Sequence, residues 1–374
     1  MSIINKRTVR SAICAALAFA GTTVAQADNG ISTSISGYGT VGGTLTSDNN
    51  YAYIHDPTEF VGAAHSIDVG LESRLGVQAV IDFGSGISVT AQEVARQRGN
   101  DVFSLGTEWL FIQYVPNSDV KLRLGRVALP TFLLSDSRNV GYAAPWFRAP
   151  NELYGSGPFQ SLDGVQVLWH HNVGALGLGL EGVYGNTRVE YRAGGVVADI
   201  RTKGAYNLAA SLEYRDFLFR VARTDLSVPT TIPLGPSFAV NYVLKDTFDT
   251  AGLQYDNGKA IVLSEFGKRT ENNIPILGEP ALASTEWYVA GGWRFGKLTP
   301  LLTYAVYSAR TSILEPEDKS GTWSVSLRYD VVRNVALKAQ MSRPRADNFT
   351  YWADPNYTST ERVSVYSLGA DFLF

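Results

Sequence analysis

The 374-residue chain carries 32 basic and 35 acidic side chains, a net charge of −3, and a single cysteine. That balance excludes a basic surface for nucleic acid, and one cysteine excludes an internal disulfide or a cysteine-built metal centre. After residue 27 no run of about 18 apolar residues occurs, which excludes helices that cross a membrane.

Residues 1–27 read as an export signal. Lys6, Arg7 and Arg10 form a basic start, Ser11 to Ala20 an apolar stretch, and Ala25-Gln26-Ala27 a small-residue cleavage site. Cys14 falls inside this segment behind Ile13, a poor place for lipid modification, so the chain from Asp28 onward has no thiol.

From residue 28 to 374 the dominant signal is alternation with a period of two, in runs of about ten residues broken by turn residues. In Thr322 to Val331, for example, Trp323, Val325, Leu327 and Tyr329 share one face, while Ser324, Ser326, Arg328 and Asp330 share the other. Sixteen such runs are expected as strands: 31–45, 66–82, 86–98, 103–115, 119–127, 162–172, 175–186, 206–215, 216–225, 246–256, 258–269, 284–295, 297–309, 320–331, 333–343 and 362–374. An even count suits an antiparallel barrel with both termini on one side of a membrane. Two runs resist assignment of a face: 103–115 is apolar on both sides, and 258–269 allows either register.

The connections alternate between short and long. Tight turns such as Gly84-Ser85-Gly86, Arg215-Asp216 and Asp256-Asn257-Gly258 carry the residues hairpins need. Longer segments at 46–65, 127–161, 187–205, 226–245, 270–283, 310–319 and 344–361 fall between them. Tyr214, Phe217, Tyr255, Trp293, Phe295, Tyr329, Phe372 and Phe374 collect near the short-turn ends, where rings can mark a lipid interface.

Residues 127–161 are too apolar for a surface loop. Phe132, Leu133, Leu134, Trp146 and Phe147 need a wall, and packing inside the barrel would turn Asp136, Arg138, Arg148 and Glu152 toward the lumen. Gripping a neighbouring subunit is the alternative. On the wall, Arg74, Arg96, Arg98, Lys121 and Arg123 outnumber Glu72 and Asp82, and Arg126 marks the start of the loop. Such a cationic wall favours anions, unless these arginines pair with loop carboxylates and leave the pore unselective.

The last run ends in Phe374, with Phe372, Ala370, Leu368 and Tyr366 on the same face. It resembles the signal by which outer-membrane proteins reach the barrel-assembly machinery. The chain from residue 28 onward resembles the Gram-negative general porin family, most closely in Leu122 to Tyr154, LRLGRVALPTFLLSDSRNVGYAAPWFRAPNELY. The resemblance implies an all-β transmembrane antiparallel barrel of about 16 strands, a homotrimer in the outer membrane among lipid and lipopolysaccharide. It implies a long third loop folded into the lumen, and passive diffusion of small hydrophilic solutes and ions without a cofactor. The tip of that loop departs from the acidic PEFGG pattern of enterobacterial relatives, so their selectivity does not carry over. A substrate-specific channel for small organic acids or sugars stays open, as does a secreted all-β enzyme or lectin.

Catalytic groups are sparse. His55 and His65 sit in the first long loop, and His170 and His171 near a strand end, without metal-ligand spacing or a matched nucleophile. Glu181 and Glu213 fit solvated pore lining better than a glycosidase pair.

Overall fold

The computed structural model describes residues 26–28, 30–55, 58–59, 61–98, 102–157, 159–193, 196–235, 238–272, 283–310, 318–348, 350–353 and 359–374. The export signal up to residue 25, and most of the segments at 270–283 and 310–319, lie outside the described residues. Gln26–Asp28 pairs antiparallel with Ile31 to Thr33.

Sixteen strands make up the wall. The first eight are β1 (Ile31–Thr46), β2 (Arg74–Asp82), β3 (Ile87–Arg98), β4 (Val102–Tyr114), β5 (Val120–Ala128), β6 (Ser161–Val173), β7 (Leu176–Asn186) and β8 (Ala205–Tyr214). The others are β9 (Phe217–Gly235), β10 (Phe238–Asp256), β11 (Ala260–Glu271), β12 (Ala283–Trp293), β13 (Leu298–Arg310), β14 (Asp318–Val332), β15 (Val335–Arg343) and β16 (Val365–Leu373). Each pairs antiparallel with its neighbour in sequence, and β16 pairs with β1 from Val365↔Thr46 to Leu373↔Tyr38, which closes the barrel.

The period of two sorts the side chains. Along β14, Trp323, Val325, Leu327 and Tyr329 are exposed on the outside, while Thr322, Ser324 and Ser326 are buried on the inside. Leu124, Leu180, Leu208, Leu302 and Leu368 extend the exposed apolar belt around the wall. The inner face buries Gln92, Gln166, Asn207, Thr250 and Gln340. This is the reverse of a water-soluble protein, and it fits a wall with hydrocarbon outside and water within. Phe217, Trp293, Phe295 and Tyr329 lie exposed at the short-turn ends, and Tyr184, Tyr206 and Trp323 form a second ring nearer the other rim.

Three boundaries differ from the sequence expectation. β2 begins at Arg74, because the Asp68 carboxylate accepts the N–H groups of Gly70 and Leu71 and turns the chain ahead of it. β9 and β10 stay paired across the expected 226–245 loop, through Pro229↔Val243 and Pro233↔Ala239. Beyond Leu226 β9 has left β8 and has an open edge, where a residue without an N–H is tolerated. The 187–205 loop is itself a hairpin of Arg188–Ala193 and Val196–Arg201.

At the β1–β16 seam the Phe374 and Phe372 rings lie over Gly37 and Gly39, where a Cβ would collide with them. The rings replace the missing side chains. Gly37→Val is therefore expected to destabilise the closed barrel by ~1–3 kcal/mol. It should lower the temperature at which the folded band shifts on gel electrophoresis, and an unshifted transition would refute this account of the seam.

Candidate functional site

Between β5 and β6 the chain turns inside the barrel. Phe132, Trp146, Leu153 and Tyr154 pack in one buried cluster with Phe248, Ile261, Leu263, Tyr288, Ala290, Leu301 and Ala305 of β10 to β13. Phe132 meets Phe248 with ring centroids 5.4 Å apart, and Trp146 meets Tyr288 at 5.6 Å. Each such side chain contributes roughly 1.5–3 kcal/mol when fully withdrawn from water. The loop thus explains the run at 258–269: Ile261 and Leu263 face inward because the loop, not water, covers them. The two apolar faces of 103–115 have a similar cause. Phe111 packs inside with Val127, Leu129 and Leu162 at the root of the loop, and Leu110 and Ile112 face outward.

Polar anchors fix the loop's path. Lys338 on β15 is fully buried, bonds Asp371 at 2.8 Å, and donates to the carbonyls of Gly141 and Ala144 at 2.6 and 2.7 Å. Arg328 on β14 donates to the carbonyls of Tyr142 and Ala144. Glu265 on β11 accepts the N–H of Leu133 and the hydroxyls of Tyr154 and Tyr288. Gln340 accepts the N–H groups of Phe147 and Arg148. Beside it the Phe147 ring fills a slot above the Gly42↔Gly369 rung, where a Cβ on either glycine would come within 2.6 or 2.7 Å of the ring. Phe147→Ala is expected to empty the slot and weaken the loop's seat by ~3–5 kcal/mol. Open-channel current should become noisier while barrel melting barely moves; a quiet channel would show that the slot does not hold the loop.

The loop's last turn is buried. Glu152, on the short helix Asn151–Tyr154, is completely buried and accepts hydrogen bonds from Asn348 and Tyr351 of the last long loop. The expectation that Glu152 lines the passage is corrected: the helix wedges between two outer loops and the wall, and its carboxylate follows the polar groups there. Arg148 is also buried. It pairs with Glu72 at 3.2 Å, lies over the Tyr53 ring, and reaches Ser367. His55 sits between Glu72 and Glu59.

Burial pushes the Glu152 carboxyl, which is outside the spanning strands, from 4.5 up to about 7, against hydrogen bonds from Tyr351 and Asn348. A carboxyl neutral when folded and ionised when unfolded stabilises fully below 4.5, and that contribution is lost as pH rises through about 7. The wild-type unfolding midpoint should fall across this window more than that of Glu152→Gln. Parallel pH curves for the two would contradict the assignment.

Four loop residues remain at the passage: exposed Asp136, with Ser137, Arg138 and Asn139 half-buried beside it. Opposite them stand Arg74 and Arg96, directly paired across β2 and β3, and then Arg98. A bulge in β4 aligns Gln92 with Trp109 and Glu93 with Thr107, leaving Glu108 unpaired. Glu108 bonds Arg98 at 2.9 Å and approaches Arg96 at 4.0 Å. The sequence reading missed it, because a strict period of two gives no sign of an inserted residue. Arg123 lies on the inner face, donating to Gln113 and Gln166, and Lys121 is exposed nearer the short-turn end. Arg126 does not belong to the pore wall: Arg123 and Val127 face inward, so alternation turns Arg126 outward, where it pairs with exposed Asp163 at 2.6 Å. His171 pairs with Asp119 at a short-turn end. No cluster able to hold a metal occurs among the described residues.

A closed sixteen-stranded wall, oily outside and polar inside, with loop residues packed on its inner face, defines a transmembrane β-barrel channel. The profile of the Gram-negative porin family matches residues 12–348, and the chain belongs to that family. Comparison with curated protein sequences returned no match. Among solved structures, OmpT of Vibrio cholerae, also solved in a trimer form, aligns with a TM-score of 0.61 at 10% identity, covering 94% of this chain and 100% of that one. The anion-selective porin of Comamonas acidovorans aligns at 0.58 with 13% identity, covering 92% and 100%. The DcaP channel of Acinetobacter baumannii aligns at 0.60 with 11% identity, covering 93% and 99%. The protein is an outer-membrane channel for passive diffusion of small hydrophilic solutes and ions.

Proposed function

We propose that this chain forms a general diffusion pore with a preference for anions, narrowed by the loop at 127–161. The observation that carries this reading is the one-sided seating of the loop. Its apolar side covers β10 to β13, and Arg74 and Arg96 of β2 and β3, half-buried on the inner face, border the space left beside the loop. Low-dielectric walls concentrate the field of Arg74, Arg96 and Arg98 across the narrow water column, attracting anions and repelling cations. Asp136, held near Arg123, moderates that field.

In the same reading residues 1–27 are removed on export, Phe374 and the last strand are the handle for the barrel-assembly machinery, and the subunits form a homotrimer. Lipid and lipopolysaccharide surround the remaining belt. The chain has no catalytic role and needs no cofactor.

The test is the reversal potential of single channels in a potassium chloride gradient. Wild type should favour chloride, and Arg74→Gln with Arg96→Gln together should bring the reversal potential toward zero. A cation-selective wild type, or a double variant identical to it, would overturn the proposal.

A further inference from the structure

A cavity of about 320 Å³ lies between the loop and the inner faces of β10 to β14, across the barrel from Arg74 and Arg96. Its size falls within the range of small-molecule sites. Asp256 ends β10 and Arg294 follows β12 directly, which sets the cavity toward the short-turn end of the passage. Leu134, Ala143 and Pro145 of the loop, with Ile261 and Leu263 of β11, give it an apolar side. The loop is held still there: the Arg328 guanidinium lies 4.6 Å from the centre of the Tyr142 ring, and the Tyr142 hydroxyl donates to the Arg333 carbonyl in a short turn. A site formed before a solute arrives lowers the cost of binding it.

The charged lining is balanced, with Arg294 and Arg328 against Asp256 and Asp330. Arg294 donates to both oxygens of Asp256 at 2.5 and 2.7 Å, and Arg328 donates to one oxygen of Asp330 at 2.9 Å. Each pair leaves one group over. The Nε of Arg294 has no acceptor, and the second oxygen of Asp330 no donor, among the described residues. The two side chains are 32% and 36% exposed, so their pairs are weakly held and both spare groups are open to a solute. They lie close enough for the charge of Asp330 to act on Arg294. An ion of either sign gains from one of them and loses to the other. A molecule bearing both charges gains from both.

We propose that this cavity is a retention site for small zwitterions with one apolar substituent, the chemistry of an α-amino acid with an aliphatic side chain. The ammonium group takes the second oxygen of Asp330, the carboxylate takes the Nε of Arg294, and the substituent packs against Leu134, Pro145 and Leu263. Gln254 and Thr299 border the same space and supply neutral polar contacts. The inference goes beyond the anion-preferring reading, because a molecule of zero net charge is not selected by the field of Arg74 and Arg96. Half-exposed ion pairs keep retention brief, which conduction requires.

The experiment measures single-channel chloride current through the assembled protein at neutral pH while leucine is added on the short-turn side. Wild type should show a reduction that saturates with concentration. Leucinamide lacks the carboxylate, N-acetylleucine the ammonium group and glycine the apolar substituent, and each should need about tenfold more to reach half-effect. Arg294→Gln and Asp330→Asn should each raise the half-effect concentration of leucine about tenfold. Arg126→Gln, on the outer face, should leave it unchanged. Open-channel conductance in chloride checks the folding of each variant. Should either cavity variant fail to form channels, the analogue series on wild type decides the matter. A current that falls without saturating, or a leucine effect that any of the three analogues matches, overturns the site, as does an unchanged leucine response in either cavity variant. The reversal potential without leucine is read from the same channels. A lost site with a retained chloride preference leaves the proposed function standing; if that preference is also absent, both fall.

Discussion

Everything in this structure depends on backbone hydrogen bonding with nowhere to stop. Inside hydrocarbon an unpaired N–H or C=O costs several kcal/mol, so a sheet there has to return to its own first strand. The pairing of β16 with β1 meets that condition, and the seam is a crowded one: Phe372 and Phe374 cover glycines that could carry no side chain of their own. Closure then gives every side chain one of two environments. The alternation along each strand is the consequence.

A closed barrel leaves an interior too wide for its own side chains to fill, and the loop after β5 supplies the missing packing. It is held by opposite means on its two sides. Toward β10 to β13 it offers aromatic and aliphatic groups to an apolar patch of inner wall, and toward β14 to β16 its carbonyls are gripped by Arg328 and Lys338. Carbonyl anchoring requires no particular loop side chain, whereas the Phe147 slot requires both an aromatic ring and two facing glycines. The loop is consequently positioned as a wall element and not as a flap.

In the proposed reading, that asymmetry creates the electrical character of the passage. Carboxylates that could have neutralised the arginines are engaged elsewhere: Glu72 by Arg148, Glu152 within the outer loops, and Asp371 by Lys338. Glu108 is the wall carboxylate that reaches them, delivered by one extra residue in β4. In the anion-preferring reading, local backbone irregularity and ion selectivity are thereby connected in a single feature. Arg126, despite its place in the sequence beside the loop, belongs to the rim facing the membrane.

The number of strands and their approximate limits were legible in the residues, because a two-residue period is a local property. Arg74, Arg96 and Arg98 could be placed on the inner face for the same reason. Tertiary structure alone decided which wall the loop covers, since the inner faces of β10 to β13 read ambiguously until their partner is present. It also decided that Glu152 is buried and that Glu108 enters the arginine cluster. Periodicity fixes the face a side chain takes, but the partner on that face comes from chain segments far away in sequence, and no local pattern encodes where they meet.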